Sequence, residues 1–196
     1  MDIRDLDRRA GAVLGEVVMQ VRPEHLWFPT PCPDWTVRGL LRHIVSANEG
    51  FAQAAINGSA PGRAWTSARL GDNPAGAYRR SNVHVAEAFA DGGALDRLVE
   101  VSEFGSFPRR VALTFHQLFC LVHAWDLAKA IDIPYEPPPD LVERAFALAR
   151  KIPDTDAVRG PGAAFERSVK IPGGASDFDQ LLGLLGRNPD WVSPLD

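Results

Sequence analysis

The segment from Pro108 to Ile131 constrains the fold most strongly, because its apolar residues occupy nearly the whole circumference of a predicted helix. A proline suits the first turn of such a helix. A helix that is apolar on nearly all sides lies at the centre of a fold, not on its surface. We therefore expect a helical protein in which other helices surround this one. The most regular stripe, at spacings of three and four, consists of Val111, Phe115, Leu118, Val122 and Trp125.

Other segments also carry the marks of helices, with apolar residues at helical spacing and recognisable ends. Asp2 and Thr36 are good N-cap residues for the first two. Residues 165–171 show no helical period and are predicted to be extended or loop. Four main helices, long connections and no convincing strand pattern predict an all-α four-helix bundle with one or two additional short C-terminal helices. Besides the central helix, the predicted helices cover about 2–21, 36–57, 74–90, 137–151 and 176–186.

Length and charge narrow the functional classes. A chain of 196 residues is expected to form a single domain over 1–196. The net charge of −4 argues against nucleic acid as the main partner, because phosphate binding needs a basic face. No uncharged apolar run approaches the ~20 residues that span a bilayer, and the charged N-terminus does not resemble a signal peptide. We expect a soluble, cytoplasmic protein with neither a nucleic-acid nor a membrane partner.

Histidines in the central helix are the strongest candidates for a functional site. His116, Phe119, His123 and Asp126 follow one another at spacings of three, four and three, so they share one helix face. Buried imidazoles need partners, and His43 on the second helix could meet His123 if those helices face each other. One interpretation is a metal site, since imidazole is a common metal ligand.

The other interpretation is a set of hydrogen-bonded core residues, which is the commoner role of histidines on buried helix flanks. His116 and His123 lie about 10.5 Å apart along the helix axis, which is far for one ion. His123 with Asp126, or His123 with Cys120, has the better spacing. Two cysteines in the chain exclude a disulfide framework and a four-cysteine zinc site. Both are expected to be packed thiols, not nucleophiles.

Three motifs carry a resemblance to a known family. The segment Thr30–Arg38, with Leu40–Ile44 after it, resembles the start of the mycothiol-dependent maleylpyruvate isomerase N-terminal-domain family. Val122–Ala130 is similar to that family's His-x-Trp-Asp-Leu-Ala-x-Ala motif, and Leu181–Trp191 to its C-terminal end. The family belongs to the DinB-like superfamily of metal-binding four-helix bundles. The resemblance thus implies a DinB-like bundle over nearly the whole chain.

The same resemblance implies a divalent metal, often zinc or nickel, held by residues matching His43 and His123. The family's third ligand is usually Glu, Asp or His four residues before the second histidine, and that position holds Phe119 here. Phenylalanine cannot bind a metal. His116, Cys120 or water could take the place of the missing ligand, or the metal could have been lost.

For function, the resemblance implies an enzyme that uses a metal-activated thiolate, with mycothiol as cosubstrate and an electrophile as the other substrate. The use of 18 arginines against three lysines fits an actinobacterial source. The dedicated isomerases carry an additional C-terminal domain, so we expect a related transferase or isomerase and not maleylpyruvate isomerase itself. The alternative is a non-catalytic bundle that has lost its metal and binds a small molecule or forms a homodimer.

Overall fold

Six α-helices and a small two-stranded ribbon make up the computed structural model, which describes residues 2–33, 35–90, 95–156, 158–160 and 165–194. The ribbon pairs β1 (Leu98–Glu100) with β2 (Ser106–Pro108) in antiparallel register. The all-α prediction is confirmed, because these strands have only three residues each. The helices are α1 Ile3–Val18, α2 Val37–Asn57, α3 Pro74–Ala90, α4 Arg109–Ala130, α5 Pro139–Ala149 and α6 Asp177–Leu184.

The helix ends follow local sequence signals. The side chain of Asp2 accepts a hydrogen bond from the Arg4 amide, and that of Thr36 accepts one from the Gly39 amide. Gly58 ends α2 with a φ of 87°, a left-handed conformation that glycine adopts without steric cost. The ribbon was not predicted, since three-residue strands are too short to show an alternating pattern.

The core forms around α4, as its sequence predicts. This helix packs against α1, α2 and α5, while α3 packs against α2 and α1. Within the described residues, α4 is also the one helix long and apolar enough to cross a membrane, but 78% of that apolar window is buried inside the fold. Such burial is typical of the core helix of a soluble protein. The fully buried leucines of α4 are Leu113, Leu121 and Leu127.

A chain of buried polar groups links all four bundle helices. His116 of α4 lies with Nδ1 2.7 Å from a carboxylate oxygen of Asp7 in α1, and with Nε2 3.1 Å from Oδ1 of Asn48 in α2. The Asn48 amide then donates to the hydroxyl of Ser81 in α3, at 3.0 Å. Each of these four side chains is at most 4% exposed. The chain therefore fixes the relative positions of four helices through specific hydrogen bonds and not through apolar contact alone.

A tyrosine closes the chain back onto α1. The hydroxyl of Tyr78 in α3 donates to the carbonyl of Gly11 at 2.6 Å. The hydroxyl of Ser81 donates to the carbonyl of Tyr78, so its oxygen is left to accept from Asn48. This order sets the orientation of the Asn48 amide and turns its oxygen toward His116.

The same donor and acceptor directions determine the charge of His116. Its Nε2 faces an acceptor, the Asn48 oxygen, and its Nδ1 faces the Asp7 carboxylate, so both ring nitrogens donate and the ring is an imidazolium. Burial opposes this charge, but the Asp7 carboxylate outweighs it and raises the pKa of His116 well above its ordinary value. Asp7 and His116 therefore form a buried, hydrogen-bonded ion pair.

Replacement of Asp7 tests how much this ion pair contributes to the free energy of unfolding. Asp7→Ala leaves the imidazolium buried without its counter-charge, so we expect the free energy of unfolding to fall by about 3 kcal/mol or more. The matched control is Asp5→Ala, which removes an exposed carboxylate paired with Arg8 on the same helix and costs below about 1 kcal/mol. Urea unfolding measures both. Equal losses in the two variants would show that the buried pair has no special weight.

The pair also predicts how stability depends on pH. The pKa of His116 is higher in the folded chain than its ordinary 6.5. The contribution of His116 to the free energy of unfolding is complete below about pH 6.5 and is lost as pH rises through the pKa of His116 in the folded chain. We therefore expect the free energy of unfolding to decrease from about pH 6.5 upward, and to decrease less in Asp7→Asn. Urea unfolding across this range measures both slopes, and parallel slopes for the two proteins would contradict the prediction.

Candidate functional site

Two histidines on facing helices form the centre of the candidate site. The ring centroids of His43 (α2) and His123 (α4) are 5.2 Å apart, with their planes at 87°. The indole of Trp35 stacks on the His43 ring, with 4.3 Å between the ring centroids and 29° between the planes. No hydrogen bond joins the His43 ring to any described residue. The two imidazoles therefore meet edge to face, and that of His43 is held by ring packing.

Asp126 sets the orientation of His123. Its Oδ2 lies 2.8 Å from Nδ1 of His123, one helical turn earlier. The carboxylate accepts a hydrogen bond from the Nδ1–H group, and the neutral ring then keeps a lone pair on Nε2. Burial lowers the pKa of His123 despite the opposing effect of Asp126. Burial, with His123 next, lowers the pKa of His43 to about 3. Both rings are thus neutral imidazoles at neutral pH, able to bind a metal ion or accept a proton.

A guanidinium from the C-terminal segment holds Asp126 in place. Arg187 donates to both carboxylate oxygens, at 3.4 and 3.1 Å, and to Sγ of Cys32 at 3.2 Å. Burial opposes ionisation of Asp126, but Arg187 and then His123 outweigh it and hold its pKa at about 2. The site therefore contains a compensated pair of charges directly behind His123.

Cys32 reaches this cluster from the proline-rich loop before α2. The hydroxyl of Thr30 lies 2.9 Å from the carbonyl oxygens of both Cys32 and Trp35, and so folds the loop on itself. The Cys32 thiol donates to Asp126 at 3.3 Å. Burial, with the nearby Asp126 carboxylate, raises the pKa of Cys32 far above its ordinary value. The thiol is therefore protonated and acts as a hydrogen-bond donor, not as a nucleophile.

Ligand atoms of Cys32, His123 and Asp126 all lie within 4.8 Å of one another, a spacing that one metal ion could bridge. Arg187 donates hydrogen bonds to two of these three side chains. A cation placed among them would meet the guanidinium at close range and would have to break those bonds. The cluster is better suited to orienting His123 than to holding an ion.

The remaining residues singled out in the sequence are His116, Cys120 and Phe119, and none of them adds a metal ligand beside the histidine pair. His116 uses both ring nitrogens in the buried chain with Asp7 and Asn48, so it has no lone pair to offer as a third ligand. Cys120 contacts that same ring, 3.8 Å from its Nε2. Phe119 has its ring centroid 4.4 Å from that of His123 and 5.3 Å from that of His43. An apolar ring thus covers the position where the resemblance places the third ligand.

A cavity of about 320 Å³ opens beside the two histidines. Trp35 and Arg187 line it at the histidine end. Its walls come from α2, α4, the ribbon region, the turn Gly62–Trp65 and the C-terminal segment. The volume is at the lower end of the range for small-molecule sites. Aromatic rings form much of the remaining wall, contributed by Phe51, Trp65, Phe104, Phe115, Phe119 and Phe165.

No spacing pattern in the sequence assigns Arg187 or Cys32 to the site. Arg187 lies 61 residues beyond Asp126, and Cys32 lies 94 residues before it. No periodic pattern connects such distant positions. The signal that could have found them is the set of three motifs, since Cys32 belongs to the first, Asp126 to the second and Arg187 to the third.

Comparison with known proteins agrees with these motifs. The profile described as "Mycothiol maleylpyruvate isomerase N-terminal domain" matches residues 8–128. Two uncharacterized proteins of Mycobacterium tuberculosis, MT0763 of strain CDC 1551 / Oshkosh and Rv0738 of strain H37Rv, are each 30% identical over 187 residues. The match covers 95% of this chain and 98% of each relative. No solved structure matches the chain significantly. The chain therefore belongs to the family of the mycothiol maleylpyruvate isomerase N-terminal domain.

Proposed function

We propose that this protein binds a divalent metal ion, zinc or nickel, through His43 and His123 and acts in a thiol-dependent transfer or isomerisation. The observation that carries the proposal is the pair of neutral imidazoles at the end of a cavity, with 5.2 Å between their ring centroids. Membership of the family supports mycothiol as the thiol. When bound, the metal would supply Lewis acidity, which lowers the pKa of a coordinated thiol.

The donor set fits a metal site with two protein ligands. Neutral imidazoles suit zinc and nickel. A carboxylate behind a ligating histidine is the usual partner in such sites, because it fixes the tautomer and strengthens the ligand. Asp126 provides this for His123. With the Phe119 ring over the position of a third protein ligand, the rest of the coordination shell would be completed from the cavity, by water or a thiol. Open positions characterise catalytic metal sites, whereas structural sites are closed.

The chain's own residues have distinct parts in this proposal. Asp126 holds the His123 ring with Nε2 free, and Arg187 keeps Asp126 ionised. The stacked indole of Trp35 restrains the His43 ring. The aromatic walls keep water away from the reacting end of the cavity, which strengthens electrostatic interactions there.

A second candidate function follows from Phe119. Its ring packs against both histidines, and such contacts with His123 at 4.4 Å and His43 at 5.3 Å are those of a filled pocket. On this alternative, the bundle binds a small molecule in its cavity without metal and without catalysis. Metal binding separates the two candidates.

Thermal stability measures metal binding directly. Zinc or nickel, added to about 100 times its Kd, should stabilise the fold by about 2.7 kcal/mol. For a chain of this length that corresponds to a rise in Tm of roughly 5–10 °C. The rise should disappear in His123→Ala. The protein should be purified without an affinity tag, so that histidines other than its own do not bind the ion.

The matched control is His84→Ala, which removes a half-exposed histidine paired with Glu49 away from the site. This variant should keep the full metal-dependent rise in Tm. Metal content below about a tenth of an equivalent after loading, with an unchanged Tm, would overturn the metal proposal and favour the non-catalytic candidate.

Restoring a carboxylate at position 119 tests whether the scaffold still fits a three-ligand site. Phe119→Glu should raise zinc affinity by about tenfold or more, because a carboxylate adds a ligand and a negative charge. Phe119→Gln is the control of equal size without the charge, and it should raise affinity much less. Isothermal titration calorimetry gives both Kd values. If both variants only lower Tm and neither binds zinc more tightly, the position is not part of a metal site.

A further inference from the structure

The cavity beside the histidines has a chemical character of its own. Ring faces and edges dominate its wall, and several of the rings contact one another. Phe104 and Phe115 stack with 5.7 Å between centroids and planes 17° apart. The ring centroid of Phe165 also lies 5.7 Å from that of Phe104, with the planes tilted by 41°. Phe51 and Trp65 meet edge to face at 5.2 Å. Half-buried rings gathered around a cavity offer flat apolar surface to a ligand.

The cavity wall carries almost no charge. Among the described residues that line it, Arg187 is the one charged side chain. Its guanidinium already donates to both oxygens of Asp126, to Cys32 and to the carbonyl of Leu185. A charged ligand would therefore lose its hydration and meet only a guanidinium whose charge Asp126 already balances, and such burial is unfavourable.

One wall is held in place by a glycine. The indole of Trp65 packs flat on α2 at Gly50, where a Cβ would lie 2.3 Å from the indole atoms Cδ2 and Cε3. The close approach is available only because Gly50 has no side chain. The indole thus forms a preformed side of the cavity, which lowers the free-energy cost of ordering this ring at binding.

We propose that the natural ligand of this cavity is an uncharged molecule with one or two flat rings, which lies between the aromatic walls and points one polar group at His43 and His123. The proposal rests on the proposed function for the role of the histidines. A volume of 320 Å³ corresponds to a ligand of about ten to fifteen non-hydrogen atoms. Small dicarboxylic acids, which would bring two negative charges into an apolar space, are not expected to bind in the metal-free cavity.

Three probe molecules test the proposal on chelator-treated, metal-free protein. The probe 2-naphthol is neutral and of the right size, 2-naphthoate has the same rings with a carboxylate, and maleate is a small dianion. We expect 2-naphthol to bind at least about tenfold more tightly than 2-naphthoate, with no measurable binding of maleate. Calorimetry gives the Kd values. Since no metal is present, the result is independent of whether His43 and His123 bind a metal.

Two variants then place the bound naphthol in the cavity. Gly50→Ala displaces the Trp65 indole and Trp65→Ala removes it, so each should weaken 2-naphthol binding by about tenfold. Gly62→Ala is the control in the same loop, where an added Cβ contacts nothing within 4 Å, and it should leave Kd unchanged. Trp65→Ala, at a half-buried side chain, keeps the test valid if Gly50→Ala folds poorly.

The proposal is overturned if 2-naphthoate or maleate binds as tightly as 2-naphthol, or if none of the three binds. It is also overturned if Trp65→Ala binds 2-naphthol with the same Kd as the control Gly62→Ala and the unaltered protein. A failure of zinc binding in the separate Tm experiment would remove the proposed metal function and leave this ligand assignment standing.

Discussion

The buried ion pair between Asp7 and His116 is the interaction on which the arrangement of the bundle depends. Apolar side chains can repack against different neighbours, whereas a charge in the core is strongly destabilising once its partner is removed. Through Asn48 and Ser81 the pair reaches all four bundle helices. A change of helix register would leave an imidazolium and a carboxylate buried apart, and that penalty selects the observed packing. We infer that this network sets the separation of α2 and α4, and hence the distance between His43 and His123.

One face of α4 shows which features of the site can be predicted from sequence. It carries His116, Phe119, His123 and Asp126. Spacings of three and four correctly place these residues along one line of the helix, and burial correctly implies that the polar ones have partners. The partners themselves were not predictable, because Asp7 lies 109 residues from His116 and Arg187 lies 61 residues from Asp126. As a result, one line of side chains divides into a structural half at His116 and a candidate site at His123.

The fold was more predictable than the site for a physical reason. Helix periods and capping residues such as Thr36 and Asp2 act within a few positions, so the sequence displays them directly. The short ribbon and the cavity arise from contacts between distant segments. Trp65 could not be assigned to a cavity wall, since its packing on Gly50 depends on the course of the loop between α2 and α3. The family motifs bridged part of this gap, because they list positions that meet in space.

Phe119 and the apolar cavity have related electrostatic consequences. A carboxylate at position 119 would reduce the charge of a divalent ion held by His43 and His123 to about one unit, whereas phenylalanine leaves both units uncompensated by its ligands. Asp126 cannot supply the difference, because Arg187 already balances it. A metal in this site would therefore bind its protein ligands more weakly and attract an anionic thiolate more strongly. The rest of the cavity would still favour an uncharged partner. On the metal proposal, phenylalanine at position 119 would thus divide the site into one position for an anion and one space for an apolar ring.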